Sequence, residues 1–328
     1  MPGVYEKNRS SSRLRFFFFS DCAYIMLEQV GGKAHMYLLY AFGIGALVAF
    51  QVLFNGSLGN AIGVYNEAMI VHAVGVFFAW LFLKASHKKL VLDRSLPFWA
   101  YLGGCIGVLT VIFQALAFGR ISMISISSLT LLGGTLASLF LDSFGLMGME
   151  KRPFNRSTLI GFAFSIAGIL VMMDFNEKSS VIPVILSLTA GVVIVVSRTI
   201  NAVLSNSIGA LQGSFINHLA GLPITIVLAF LLDGLNLQQA SLLFSAPVWT
   251  YFGGAIGVVA IACNNVVVPK ISAFHFTLLS FLGQMATSIL IDLAFGTAAN
   301  IRSVYGGLLI AAGMILNMLL SRKKEAQA

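Results

Sequence analysis

Long apolar blocks separated by short polar gaps run from residue 37 to residue 320. They fall at 37–54, 68–83, 98–117, 122–141 and 158–173, and again at 181–200, 214–232, 248–268, 273–294 and 304–320. Most are roughly 17–22 residues long, the length of helix that crosses a bilayer core of about 30 Å. The alternation of short segments that marks a barrel strand does not occur. The pattern predicts an all-α integral membrane protein with about ten transmembrane helices.

The gaps carry a repeat. Asn55-Gly-Ser-Leu-Gly-Asn-Ala-Ile-Gly63 matches Asn201-Ala-Val-Leu-Ser-Asn-Ser-Ile-Gly209, and in both copies a His (His72, His218) and a Gly (Gly75, Gly221) follow at identical spacing. Pro97-Phe-Trp-Ala-Tyr-Leu-Gly-Gly104 matches Pro247-Val-Trp-Thr-Tyr-Phe-Gly-Gly254, and the match continues through Arg120-Ile-Ser122 and Lys270-Ile-Ser272 to Asp142 and Asp292. The chain therefore divides into an N-terminal extension (1–35), a first five-helix repeat (36–178) and a second five-helix repeat with a short basic tail (179–328). Five is odd, so the second unit enters the membrane from the side opposite to the first. Inverted repeats of this kind are a common ground plan of secondary transporters.

Charge sets the orientation. Lys84, Lys88, Lys89 and Arg94 lie in one gap, Lys151, Arg152 and Arg156 in another, and Arg322, Lys323 and Lys324 follow the last block. The positive-inside rule makes these segments, and both termini, cytoplasmic. Arg120 and Arg302 are single exceptions on the outer side, while Arg198, at the end of the sixth block, is expected to snorkel to the cytoplasmic face, with contact to an anionic substrate as the alternative. The extension holds only Phe16–Phe19 as an apolar run, too short to span, and translation is expected to start at Met36.

Composition narrows the class further. The 328 residues are 58% hydrophobic and 10% charged, with a net charge of +8; a soluble domain carries about 25% charged residues. The basic residues fill membrane-flanking gaps, so nucleic acid is not an expected partner; the lipid bilayer and a small-molecule substrate are. Cys22, Cys105 and Cys263 form neither a disulfide framework nor a metal set, and no nucleotide loop or catalytic carboxylate pair occurs. Neither enzymatic activity nor a cofactor is expected.

Three blocks resemble a known family: Asn55…Leu58…Gly63, Pro97-Phe-Trp-Ala-Tyr-Leu-Gly-Gly104, and Leu136-Ala-Ser-Leu-Phe-Leu-Asp142-Ser-Phe-Gly-Leu146 followed by Arg152-Pro153. They are similar to the YdcZ-type inner-membrane exporters of the drug/metabolite transporter superfamily, here as a fused pair of five-helix units. The second half departs from the pattern at Phe295-Gly-Thr-Ala298 and lacks a counterpart of Arg152-Pro153. The resemblance implies a ten-helix bacterial exporter and leaves the substrate open.

Polar residues at membrane depth supply the candidate site, since such groups usually face a bundle interior or a wet path. His72 and His218 are candidates for substrate contact or proton coupling, with an interhelical hydrogen bond as the structural alternative. Asn55 and Asn201 stand at the ends of their blocks, as caps or bridges. Gln51 pairs with Ser197 and Gln114 with Asn264 across the repeat, giving a pathway near the midplane. The two His and the two Asn, entering from opposite faces, are expected at different depths. Glu67 is expected to offset the positive start of its helix, and Asp142 and Asp292 to anchor at the interface. Trp99 and Trp249, with Tyr101 and Tyr251, fit an aromatic belt. These features favour a secondary exporter of a small metabolite or amphipathic compound by alternating access. A flippase for a lipid-linked substrate and a non-catalytic helper subunit are the alternatives.

Overall fold

The computed structural model describes residues 33–148, 151, 156–172, 181–234, 243–271, 273–294 and 301–325. Ten α-helices occur among them: α1 Lys33–Ile62, α2 Val64–Ala85, α3 Gly103–Ala117, α4 Met123–Phe144, α5 Arg156–Met172, α6 Val181–Ile208, α7 Ala210–Leu232, α8 Gly253–Val267, α9 Ala273–Ala294 and α10 Ile301–Glu325. Seven spans are long and apolar enough to cross a bilayer, falling on α1, α2, α4, α6, α7, α9 and on α8 with its flanking turns. The apolar parts of α3, α5 and α10 are shorter, so the expectation of ten full-length spans is met in part. The predicted start at Met36 and the Arg152-Pro153 pair bear on residues 1–32 and 152–155, which lie outside the described residues.

Residues 37–328 form one compact unit. α4 is its central helix: 78% of its most apolar window is buried, against 33% for α2 and α7, and it packs on α6 and α9. The core joins Ile124, Leu131 and Leu132 of α4 to Leu278 and Phe281 of α9 and Ile310 of α10. Large apolar side chains such as Phe77, Phe140, Leu170 and Phe230 point outward instead. A water-facing monomer seldom exposes so much contiguous apolar surface; in a bilayer it meets acyl chains.

Local signals in the sequence place the helix ends. Pro97 and Pro247 each open a 3-10 turn, Phe98–Tyr101 and Val248–Phe252, that leads into α3 and α8. Tyr101 and Tyr251, expected in an aromatic belt, brace these turns by donating to the carbonyls of Asp93 (2.8 Å) and Leu243 (2.7 Å), while Trp99 and Trp249 stay partly exposed. Ser122 caps α4 by accepting from the Ser125 amide, and left-handed Gly145 ends it. The Asp93 carboxylate accepts from Ser207 at the end of α6 and from Ser95, and these bonds hold it below the ordinary carboxylate range. That tie between loop and helix therefore stands above the ordinary range and is lost as acid carries the pH down through the lowered value.

Candidate functional site

One residue joins the first two helices of each half. Gly63 has φ 96° and Gly209 φ 103°, a region that side chains with a Cβ avoid. The helices therefore run up to these glycines from both sides, and the polar stretch after residue 54 is helical rather than a loop. This corrects two expectations. Asn55 and Asn201 lie inside α1 and α6, not at their ends. His72 and His218 each come eight residues after the first residue of α2 and α7, about 12 Å along the axis at 1.5 Å per residue.

That depth brings the imidazoles together: the rings of His72 and His218 meet edge to face at 5.6 Å between centroids. The expectation that the pair lies at two levels is overturned, because it took the helices to begin at Ala68 and Ser214. His72 Nδ1 is 2.8 Å from the Ala68 carbonyl, which leaves its Nε2 toward the other half. A Cβ on Gly75 would strike the His218 ring, and one on Gly221 the His72 ring. The absent side chains are the space that the opposite imidazoles fill.

The same exchange of partners recurs through the bundle. A Cβ on Gly104 would meet the Asn217 carbonyl, and one on Gly254 the Val71 carbonyl. Gly103 lies against the Asn201 amide and Gly253 against that of Asn55; Gly45 faces Ser280 and Gly191 faces Thr130. Helix directions follow from contacts at separate heights. Ser127 bonds Ser288 and Ser138 bonds Thr277, both at 3.1 Å, so α4 and α9 are antiparallel. Asp233, past the end of α7, accepts from the Tyr65 and Asn66 amides at the start of α2 (2.9 and 2.7 Å), while Gln212 of α7 reaches the Lys89 carbonyl beyond α2. Those helices are antiparallel too.

The start of α2 is thus capped from the other half, where Glu67 was expected to act. Glu67 is fully buried against Gly59, and neither carboxyl oxygen has a hydrogen-bond partner. Asp233→Ala should lower stability by about 1–2 kcal/mol, the worth of a good cap, as a fall in the melting temperature of the purified protein. Glu67→Gln should have a much smaller effect.

A cavity of about 170 Å³ opens beside the His pair. All eight sequence candidates line it: Gln51 and Ser197, Asn55 and Asn201, His72 and His218, Gln114 and Asn264. Some are committed within the protein. Ser197 donates to the Gly103 carbonyl (2.8 Å), and the Asn201 amide nitrogen donates to Asn217 Oδ1 (2.7 Å). Others are open: Asn55 Oδ1, Gln114 Nε2, Asn264 Oδ1 and both His218 nitrogens have no protein partner. Buried polar groups are normally satisfied, so a solute or water is the natural partner here.

Three further wall residues, Asn217, Thr277 and Gln284, did not stand out in the sequence, and a fourth, Arg198, was given another role. Arg198 was expected to snorkel, but α6 continues ten residues beyond it, to Ile208. The end of the helix is then about 15 Å away. The side chain turns inward, 8% exposed, over the Phe276 ring at 4.5 Å, and donates to Thr277 Oγ1 at 2.7 Å. Asp142 and Asp292 stand two residues before the ends of α4 and α9, as expected of groups near an interface, but both are buried in the protein; the Asp142 charge acts on Arg198. An Arg in mid-helix was the available signal, and it was hidden by ending the helix at Ile200.

Comparison with known proteins adds the family. The family model described as "Putative inner membrane exporter, YdcZ" matches residues 36–171 and, a second time, residues 182–316. This chain belongs to the YdcZ family. As a YdcZ-family protein it is an inner-membrane chain with several membrane helices and an exporter's general role. No curated protein matches it in sequence. Solved structures share its fold: one crystal structure aligns over 88% of this chain and 98% of its own, with a TM-score of 0.61 and 16% identity.

Proposed function

We propose that the protein is a secondary exporter of a small polar metabolite, working by alternating access between two inverted five-helix halves. One observation carries this reading: matched residues of the two halves, including Asn55 with Asn201 and His72 with His218, converge on a single polar cavity inside an apolar helix bundle. The reciprocal glycine contacts and the antiparallel runs of α2 on α7 and α4 on α9 support halves related by a two-fold axis in the membrane plane. Two such halves can rock about a shared midplane site and reach inward- and outward-open states of similar energy. The basic loop at 84–94 and both termini face the cytoplasm in this arrangement. His72 and His218 are its carriers for any coupled proton.

Flux into proteoliposomes of the purified protein, across an imposed pH gradient and a broad panel of metabolites, tests the proposal. Protein-dependent flux of at least one solute class is expected. If every solute moves no faster than in protein-free vesicles, the transporter reading fails. A response to the gradient that His72→Gln removes would assign the coupling.

A further inference from the structure

We propose that the cavity takes a small organic carboxylate, bound through Arg198, and rejects organic cations; this rests on the transporter reading and names the substrate class of the same site. Among the described residues the wall contains no Asp, Glu or Lys, and Arg198 is the one that is always charged. The guanidinium is pre-positioned rather than mobile, because Phe276 supports its face and Thr277 takes one of its nitrogens. Ser138 holds that Thr277 hydroxyl in turn. Asp142 acts on Arg198 and is not among the residues that line the cavity.

What Arg198 leaves free points to the ligand. Its Nε is buried, without a hydrogen-bond partner. An unmet buried donor is costly, and a carboxylate is the acceptor that a planar guanidinium matches best. Gln284, two helical turns from Thr277 on α9, and Gln114 on α3 each keep a side-chain nitrogen without a partner, so neutral donors accompany the charge. Asn55 and Asn264 keep unpartnered oxygens, which suit a hydroxyl or amino group on the same solute. A cation would bring its charge to an arginine with no wall carboxylate to offset it.

Arg198 also breaks the repeat. Gln51 matches Ser197, so the next position in the first half is Val52. One half supplies the charge and the other does not, so the solute's carboxylate is held toward the α6–α9 side, and one orientation suffices for one cavity.

The test uses the full chain in two formats. Binding is read in detergent by thermal shift and calorimetry, and flux in proteoliposomes, with small hydroxy- and amino-carboxylates, their neutral amides, quaternary ammonium ions and inorganic phosphate as probes. Carboxylates should bind and move; the amides should be roughly 10- to 100-fold weaker, the worth of a charge-assisted hydrogen bond. Arg198→Gln should abolish that preference and Arg198→Lys restore it only partly. Because Arg198→Gln leaves Asp142 unbalanced and can misfold, Gln284→Leu serves as the second variant, keeping the charge and weakening carboxylates selectively. Ammonium ions or phosphate moving in place of carboxylates would overturn this inference and leave the transporter reading standing. Carboxylate binding without flux would uphold the inference and overturn transport. No binding and no flux by any probe would count against both.

Discussion

Gly104→Ala prevents the protein from reaching its folded state in useful yield. The added methyl group would clash with the backbone oxygen of Asn217 and lie 2.7 Å from its carbonyl carbon and 3.0 Å from its Cα. Backbone inside a helix cannot rotate aside as a side chain can, so α3 and α7 must move apart along the line where they touch. Overpacking of a tight site costs about 1–3 kcal/mol and sometimes more, and close helix contact through small residues is a main source of cohesion in a bilayer. Gly254→Ala should do the same between α8 and α2, where the Val71 carbonyl is the obstacle. Monodisperse yield after size exclusion and the melting temperature check both. Near wild-type stability for either variant would mean that the helices are not as close as described.

Gly75→Ala is expected to be nearly as damaging, but with a remedy. Its obstacle is the imidazole of His218, a side chain that can be removed. The double variant Gly75→Ala with His218→Ala should recover much of the lost stability, and Gly221→Ala with His72→Ala should behave likewise. His218→Ala alone leaves a cavity and should cost a few kcal/mol. The quantity that matters is the coupling: each pair should be more stable than the sum of its single effects by about 1–3 kcal/mol, the range for residues in contact. Crossing the pairs, Gly75→Ala with His72→Ala, should give little rescue. Simple additivity within each matched pair would contradict the contacts of Gly75 with His218 and of Gly221 with His72.

Much of this was legible in the sequence, and the part that was not has one physical cause. The apolar blocks gave an all-helical chain and the order of its helices, seven of them on spans long enough to cross a bilayer, and the matched Asn, His, Pro and Trp gave the two units. Hydropathy, however, ends a helix where polarity begins, and Asn55-Gly-Ser-Leu-Gly-Asn60 is polar yet helical because its small residues are packed inside the bundle: Gly56 against Phe118 and Gly59 against Glu67 and Ala115. Ending α1 and α6 early, and starting α2 and α7 late, misplaced everything measured from those ends. Asn55 became a cap, Arg198 a snorkelling residue, and His72 and His218 were set at two levels. The burial of Asp142 and the capping role of Asp233 had no sequence signal, since each depends on the packing of other helices. The polar positions were chosen for their membrane burial whatever the register, and all eight line the cavity.

The central claim is that the two related halves run through the membrane in opposite directions. Arg120 and Lys270 occupy matched positions, each exposed in the turn between the third and fourth helices of its half. In a background where Cys22, Cys105 and Cys263 are replaced by serine, Arg120→Cys and Lys270→Cys are labelled in intact cells and in inverted vesicles with a membrane-impermeant maleimide. The account predicts that Arg120→Cys reacts from the periplasmic side and Lys270→Cys from the cytoplasmic side. Labelling of both from one side would contradict the inverted arrangement, and with it alternating access about a shared cavity.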